Sequence, residues 1–118
     1  MTMKLLATAT LICCAYSAQA NTKLDEHIFS PDQGIICDHK AGFCVDSYGI
    51  SMAFTKEFLG QAAQDKMMKM INDVGTKNFD TSRYSLSNKV YCDSAQKACF
   101  TDRYQKLPQE NYSQILFN

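Results

Sequence analysis

The stretch Ile35-Ile36-Cys37-Asp38-His39-Lys40-Ala41-Gly42-Phe43-Cys44-Val45 decides the fold. Its pattern returns at Val90-Tyr91-Cys92-Asp93-Ser94-Ala95-Gln96-Lys97-Ala98-Cys99-Phe100. Each copy is Cys-Asp, five further residues and a second Cys, with apolar residues before the first cysteine and beside the second. A tyrosine follows each copy, Tyr48 or Tyr104. Two copies are too few for a solenoid, which needs three or more. They read as one supersecondary unit used twice.

That unit is expected to be a β-hairpin. If Cys37 faces Cys44, then Asp38 faces Phe43, and residues 39–42 form a four-residue loop in which Gly42 supplies a positive φ. The same register leaves residues 94–97 as the second loop. The four cysteines of these two stretches permit three pairings. A long-range bridge such as Cys37–Cys99 would remove more chain entropy, about 4 kcal/mol against about 2.5 for each short loop. Opposed hairpin residues, however, are already close enough to bond. Geometry therefore favours Cys37–Cys44 and Cys92–Cys99. Zinc is the weaker reading of these cysteines with His39, because the usual short Cys-x2-4-Cys spacing is missing.

Working outward, the N-terminus has a lysine, Lys4, then an uncharged apolar run from Leu5 to Tyr16, then Ala18-Gln19-Ala20. This is the three-part form of a secretory signal, too short to span a bilayer. Cleavage is expected after Ala20, with residues 1–20 as the signal peptide, residues 21–28 as a flexible lead-in and residues 29–118 as a single disulfide-stapled domain. Cys13 and Cys14 raise a lipoprotein alternative, but Cys14 lacks the small residue that usually precedes a lipidated cysteine. Without Lys4, eleven basic and twelve acidic residues remain, a net charge of −1. That gives no footprint for nucleic acid and no polybasic run for a membrane surface. Four cysteines in an exported chain of this size read as two disulfides. The expected address is the periplasm or the medium.

Between the hairpins the period changes. Thr55 can cap a helix whose stripe is Leu59, Ala63, Met67, Met70, Ile71 and Val74, with a kink at Gly60 and a stop at Gly75. Met67, Met68 and Met70 resemble thioether ligands for Cu(I), but they read better as core and core-edge residues. Residues 83–104 alternate as a three-stranded meander, and residues 112–117 form an apolar tail expected to dock as a last strand or turn. Asn111-Tyr112-Ser113 fits a glycosylation sequon by pattern alone. The expected fold is therefore a small α+β domain: β-hairpins and a short antiparallel sheet packed with one main helix, pinned by two disulfides.

Phe29-Ser30-Pro31, Gly34-Ile35-Ile36-Cys37-Asp38, Phe43-Cys44-Val45-Asp46 and Gly49-Ile50-Ser51 resemble the YcgJ / Fels prophage-protein-like family. So do Thr55, Leu59-Gly60, Ser87-Asn88, Val90-Tyr91-Cys92-Asp93, Cys99 and Asp102-Arg103-Tyr104. The likeness covers residues 29–104. Lys89 stands where a glycine is expected after Asn88. The resemblance implies a small exported protein of Gram-negative bacteria and their prophages, and carries over no activity, cofactor or catalytic residue.

Function is approached through surfaces. Rigid disulfide-pinned loops lower the ordering cost of binding. A non-enzymatic binding or inhibitor-like module is the first reading, contacting another periplasmic or cell-envelope protein. Its contact candidates are His39, Lys40, Tyr48, Tyr91 and Tyr104, tyrosine being enriched at binding hot spots. A small enzyme acting on cell-wall material would need paired groups such as Asp38 and Asp93. An aspartate beside a hairpin turn more often bonds the turn backbone. Metal handling and thiol-disulfide catalysis rank lower, there being no Cys-x-x-Cys.

Overall fold

A computed structural model describes residues 21–118. The leader, its cleavage position at Ala20, Cys13 and Cys14 lie outside the described residues. The fold is α+β. Strands β1 (Thr22–Lys23), β2 (Ile28–Asp32), β3 (Ile35–Asp38), β4 (Phe43–Asp46) and β5 (Gly49–Ser51) form one antiparallel sheet in chain order. Helices α1 (Met52–Leu59) and α2 (Gln61–Val74) follow. Strands β6 (Arg83–Ser85), β7 (Tyr91–Asp93) and β8 (Ala98–Phe100) form a second antiparallel sheet, and helix α3 (Glu110–Phe117) ends the fold. Cys37 pairs with Cys44 and Cys92 with Cys99, in the hairpin register the spacing implies.

The repeat is larger than the cysteine echo. Ile28 opposes Asp38 and Phe29 opposes Cys37, and in the second sheet Arg83 opposes Asp93 and Tyr84 opposes Cys92. His39 N–H donates to the His27 carbonyl at 2.8 Å, and Ser94 N–H to the Ser82 carbonyl at 2.9 Å. Gly34 and Gly42 have positive φ, 87° and 88°, and their counterparts Lys89 and Lys97 follow them at 78° and 54°. Both units then close with an eight-residue helix. Its fourth residue carries a hydroxyl that accepts from the second cysteine: Cys44 N–H to Thr55 Oγ1 at 2.9 Å, Cys99 N–H to Ser113 Oγ at 2.7 Å. Residues 28–59 and 83–117 are thus two copies of one helix-closed unit built on three strands, to which the first copy adds β5.

The units stack head to tail. One face of the first sheet carries Ile35, Cys37 and Cys44 and is covered by Phe54, Phe58 and Leu59 of α1. Its other face supplies Ile28, Ile36, Phe43 and Val45 to a common core with Tyr84, Cys92, Cys99, Tyr112 and Leu116 of the second unit. Removing these apolar side chains from water provides the main driving force. The far face of the second sheet has no such cover: Arg83 and Ser85 are exposed, and Tyr91, Ala98 and Phe100 are half-buried.

Five features depart from the sequence reading. Residues 21–28 do not form a loose lead-in: Thr22–Lys23 pair with β2, and Ile28 enters the core. The single main helix is two helices, because Gly60 adopts φ 100°, which lies outside the helical region. Ser51, not Thr55, caps the first, accepting from Phe54 N–H at 3.0 Å, and Thr55 is fully buried. Of the expected stripe, Met67 is buried, while Met70 and Val74 remain exposed, so the bland core reading holds for Met67 alone. The C-terminal apolar tail is helix α3, with Tyr112 and Leu116 four apart on its buried side.

Asp38 ties the two units together. Its carboxylate accepts from Lys40 N–H (3.0 Å) and Ala41 N–H (2.9 Å) in its own loop, and from Ser87 N–H (2.6 Å) and Ser87 Oγ (2.9 Å) in the other unit. Asn88 adds a second bridge, donating to Asp25 at 2.8 Å. Asp93, the counterpart of Asp38, bonds only Ala95 and Gln96 of its own hairpin. Deleting a fully buried, four-bonded carboxylate orphans donors in both units. Asp38→Ala is therefore expected to cost about 3–5 kcal/mol, and Asp93→Ala about 1–2 kcal/mol. Urea unfolding of the two variants checks the order, and equal losses would contradict the joint.

Candidate functional site: two tyrosine-lipped clefts

The five contact candidates do not gather at one place. The His39 ring stacks on Phe29, with centroids 4.9 Å apart, over a shallow groove that also holds His27. Lys40 is an exposed tip of the same loop. Tyr91 is half-buried on the uncovered face of the second sheet. Tyr48 and Tyr104 stand apart from these, at 85% and 67% exposure.

Those two tyrosines occupy equivalent turns. Asp46 Oδ1 accepts the Tyr48 N–H at 2.8 Å, and Asp102 Oδ1 accepts the Tyr104 N–H at 2.9 Å. The next residue has positive φ in each case, Gly49 at 126° and Gln105 at 59°. An aspartate that bonds the backbone two residues on fixes a tight turn. The sequence therefore holds each tyrosine backbone in place while its ring projects outward. The glycine is needed at residue 49, because a Cβ there would lie 2.1 Å from the Thr81 carbonyl oxygen.

Each ring borders a cleft. Tyr48 shares one of about 600 Å³ with Ser47, Ser82, Ser94, Lys97 and Phe117. Tyr104 shares one of about 380 Å³ with Ser85, Leu86, Lys89, Asp102 and Arg103. The Arg103 guanidinium carbon lies 5.3 Å from the Tyr104 ring centroid, a cation–π distance. Among the described residues, the buried side-chain polar atoms without a hydrogen-bond partner are Ser94 Oγ and the Tyr84 hydroxyl. Burial, and then the Asp46 carboxylate, push the Tyr84 phenol up. Of the two, Ser94 lines the Tyr48 cleft, whereas Tyr84 lines a separate groove with Phe43, Ile50 and Met67. Such groups normally find partners.

Sequence reasoning named Tyr48 and Tyr104 but missed the lysines and Ser94. Lys89, Lys97 and Gln105 are the described non-glycine residues with positive φ. All three belong to the clefts or to the turn that carries Tyr104. Lys89 in the place of an expected glycine was the available signal. Asp38 and Asp93 each hold their own hairpin loop, the bland reading of both. The four cysteines among the described residues are fully buried in their disulfides.

Two outcomes follow from this geometry. Because both bridges are buried, thiol reagents should reach them only through unfolding, and Cys92→Ala/Cys99→Ala should cost about 2–4 kcal/mol. Rapid reduction of the native protein by dithiothreitol, followed by mass spectrometry, would contradict this. The second outcome concerns Asp80, which accepts from Ser82 Oγ (2.6 Å), Ser82 N–H (2.9 Å) and Arg83 Nε (2.8 Å) and so holds the Ser82 wall of the Tyr48 cleft. These donors, the Ser82 hydroxyl first, lower its carboxyl from 3.8 to about 2. A depressed carboxyl contributes fully above its unfolded value, and that contribution is lost as pH falls from 3.8 through about 2. Carboxyl NMR titration should place Asp80 in that window, and Ser82→Ala should move it upward.

The comparisons with known proteins agree with this layout. The sequence profile of the YcgJ protein family matches residues 28–117, from the first residue of β2 to the last of α3. A curated relative, the "Uncharacterized protein YcgJ" of Escherichia coli (strain K12), is 35% identical over 75 residues. The match covers 64% of this chain and 55% of that relative, so the chain spans only about half of the relative's length. No solved structure matches. With the profile covering both units, the chain belongs to the YcgJ family.

Proposed function

We propose that this protein is an exported, non-enzymatic binding module of the cell envelope, acting in the periplasm or medium after cleavage behind Ala20. The observation that carries the reading is the repeated turn: Asp46 and Asp102 each hold a tyrosine whose ring stays in water, at 85% and 67% exposure. Exposing a large ring costs hydrophobic free energy that burial would have returned. Keeping two rings exposed on backbone-anchored turns supports contact with something outside the chain. Two disulfides suit an oxidising compartment, and they stiffen the hairpins from which both turns emerge. Little ordering then remains to be lost on binding. The expected partner is another component of the periplasm or cell envelope.

The test is site-specific photo-crosslinking in a Gram-negative host producing the full chain. Benzophenone side chains replace Tyr48, Tyr104 or, as a control, the exposed Lys56 of α1. Adducts in the periplasmic fraction are expected from positions 48 and 104 and not from 56. Adducts from none, or equally from all three, would contradict the reading.

A further inference from the structure

We infer that the two clefts are duplicate saccharide sites, each taking a negatively charged sugar unit. This rests on the binding reading above and names the ligand class.

Each cleft is lined by an exposed tyrosine and a lysine: Tyr48 with Lys97, Tyr104 with Lys89. Both lysines sit in left-handed backbone, at φ 54° and 78°. Their counterparts in the first unit, Gly42 and Gly34, adopt the same conformation without a side chain to clash. An L-residue pays for this geometry, and strain kept at a surface turn points to a function for the side chain. The side chain gained adds an ammonium to a cleft already lined by an aromatic ring, in both cases. In the second cleft Lys89 and Arg103 outweigh Asp102, whose Oδ1 is already engaged by the Tyr104 N–H. Both clefts therefore favour an anion.

The remaining lining selects among anions. Ser47, Ser82 and Ser94 line the first cleft, and Ser85 lines the second. A sugar offers many hydroxyls to such groups and an apolar C–H face to a flat ring. A peptide is more often read along a free strand edge or by an apolar groove. Hydroxyls, one cation and one ring face suit the sugar better.

The experiment titrates the mature chain, residues 21–118, by calorimetry and amide NMR. The probes are trigalacturonate and a muramic-acid disaccharide, with neutral maltotriose and hexaglutamate as comparators. Two acidic saccharides should bind per chain, one after Tyr48→Ala or Tyr104→Ala and none after both. Each alanine should weaken its own site at least tenfold, as hot-spot truncations do. Lys97→Gly and Lys89→Gly separate ligand contact from structure. Each should raise Tm by about 4 °C through relief of strain, yet weaken its site about threefold and reduce its salt dependence. A purely structural lysine would show the first effect without the second. Silence toward both acidic saccharides at millimolar concentration, equal binding of maltotriose, or preference for hexaglutamate would each overturn the inference. Crosslinks from positions 48 and 104 to a protein would do so too, while leaving the binding reading intact.

Discussion

The buried carboxylate of Asp38 is the constraint on which the rest of the structure depends. It closes its own hairpin loop through two backbone donors and reaches across to Ser87 through two more. A fully desolvated carboxylate is tolerable only when its lone pairs are occupied. The first hairpin and the turn between β6 and β7 must therefore sit at one fixed distance. That distance sets how Ile28, Ile36, Phe43 and Val45 meet the second unit, and so sets the core.

Head-to-tail stacking explains how two copies of one unit came to look unlike. Ile36 and Val45 lie in the interface, while their counterparts Tyr91 and Phe100 face outward. Ile28 corresponds to the exposed Arg83. A symmetric pair would have kept both faces apolar. Here one sheet face became core and the other became surface, so matching positions answer to opposite solvents. The Asp-anchored tyrosine turns have the same form in both units, although the Tyr48 turn borders the second unit and the Tyr104 turn does not border the first.

This pattern also accounts for what was legible in the sequence. The hairpins, the disulfide pairing and the meander could be read because each is local, set by Cys-Asp-x5-Cys and by strand alternation. The full repeat was hidden by three changes. Gly34 and Gly42 became Lys89 and Lys97, Thr55 became Ser113, and the connection before α3 grew longer than the one before α1. The break at Gly60 was read as a kink, because helical spacing continues on both sides. Ser87 and Asn88 looked like turn residues; their bonds to Asp38 and Asp25 span the whole middle of the chain, which no local pattern encodes. Tyr48 and Tyr104 are legible as the tyrosine that follows each copy; the aspartate-held turns that expose them are not.

The order of the cysteines has a consequence for biogenesis. Each thiol's native partner is the next cysteine of the described chain, seven residues further on. If the chain is exported as proposed, N-terminus first, Cys37 and then Cys44 would emerge before Cys92. Closing a loop of about ten residues takes about 10–100 ns, far faster than any oxidant can supply a disulfide. The first oxidation event therefore meets the correct partner, and the second pair repeats the event later. On that proposed route, vectorial oxidation alone would yield the native bridges, without an isomerase to correct them.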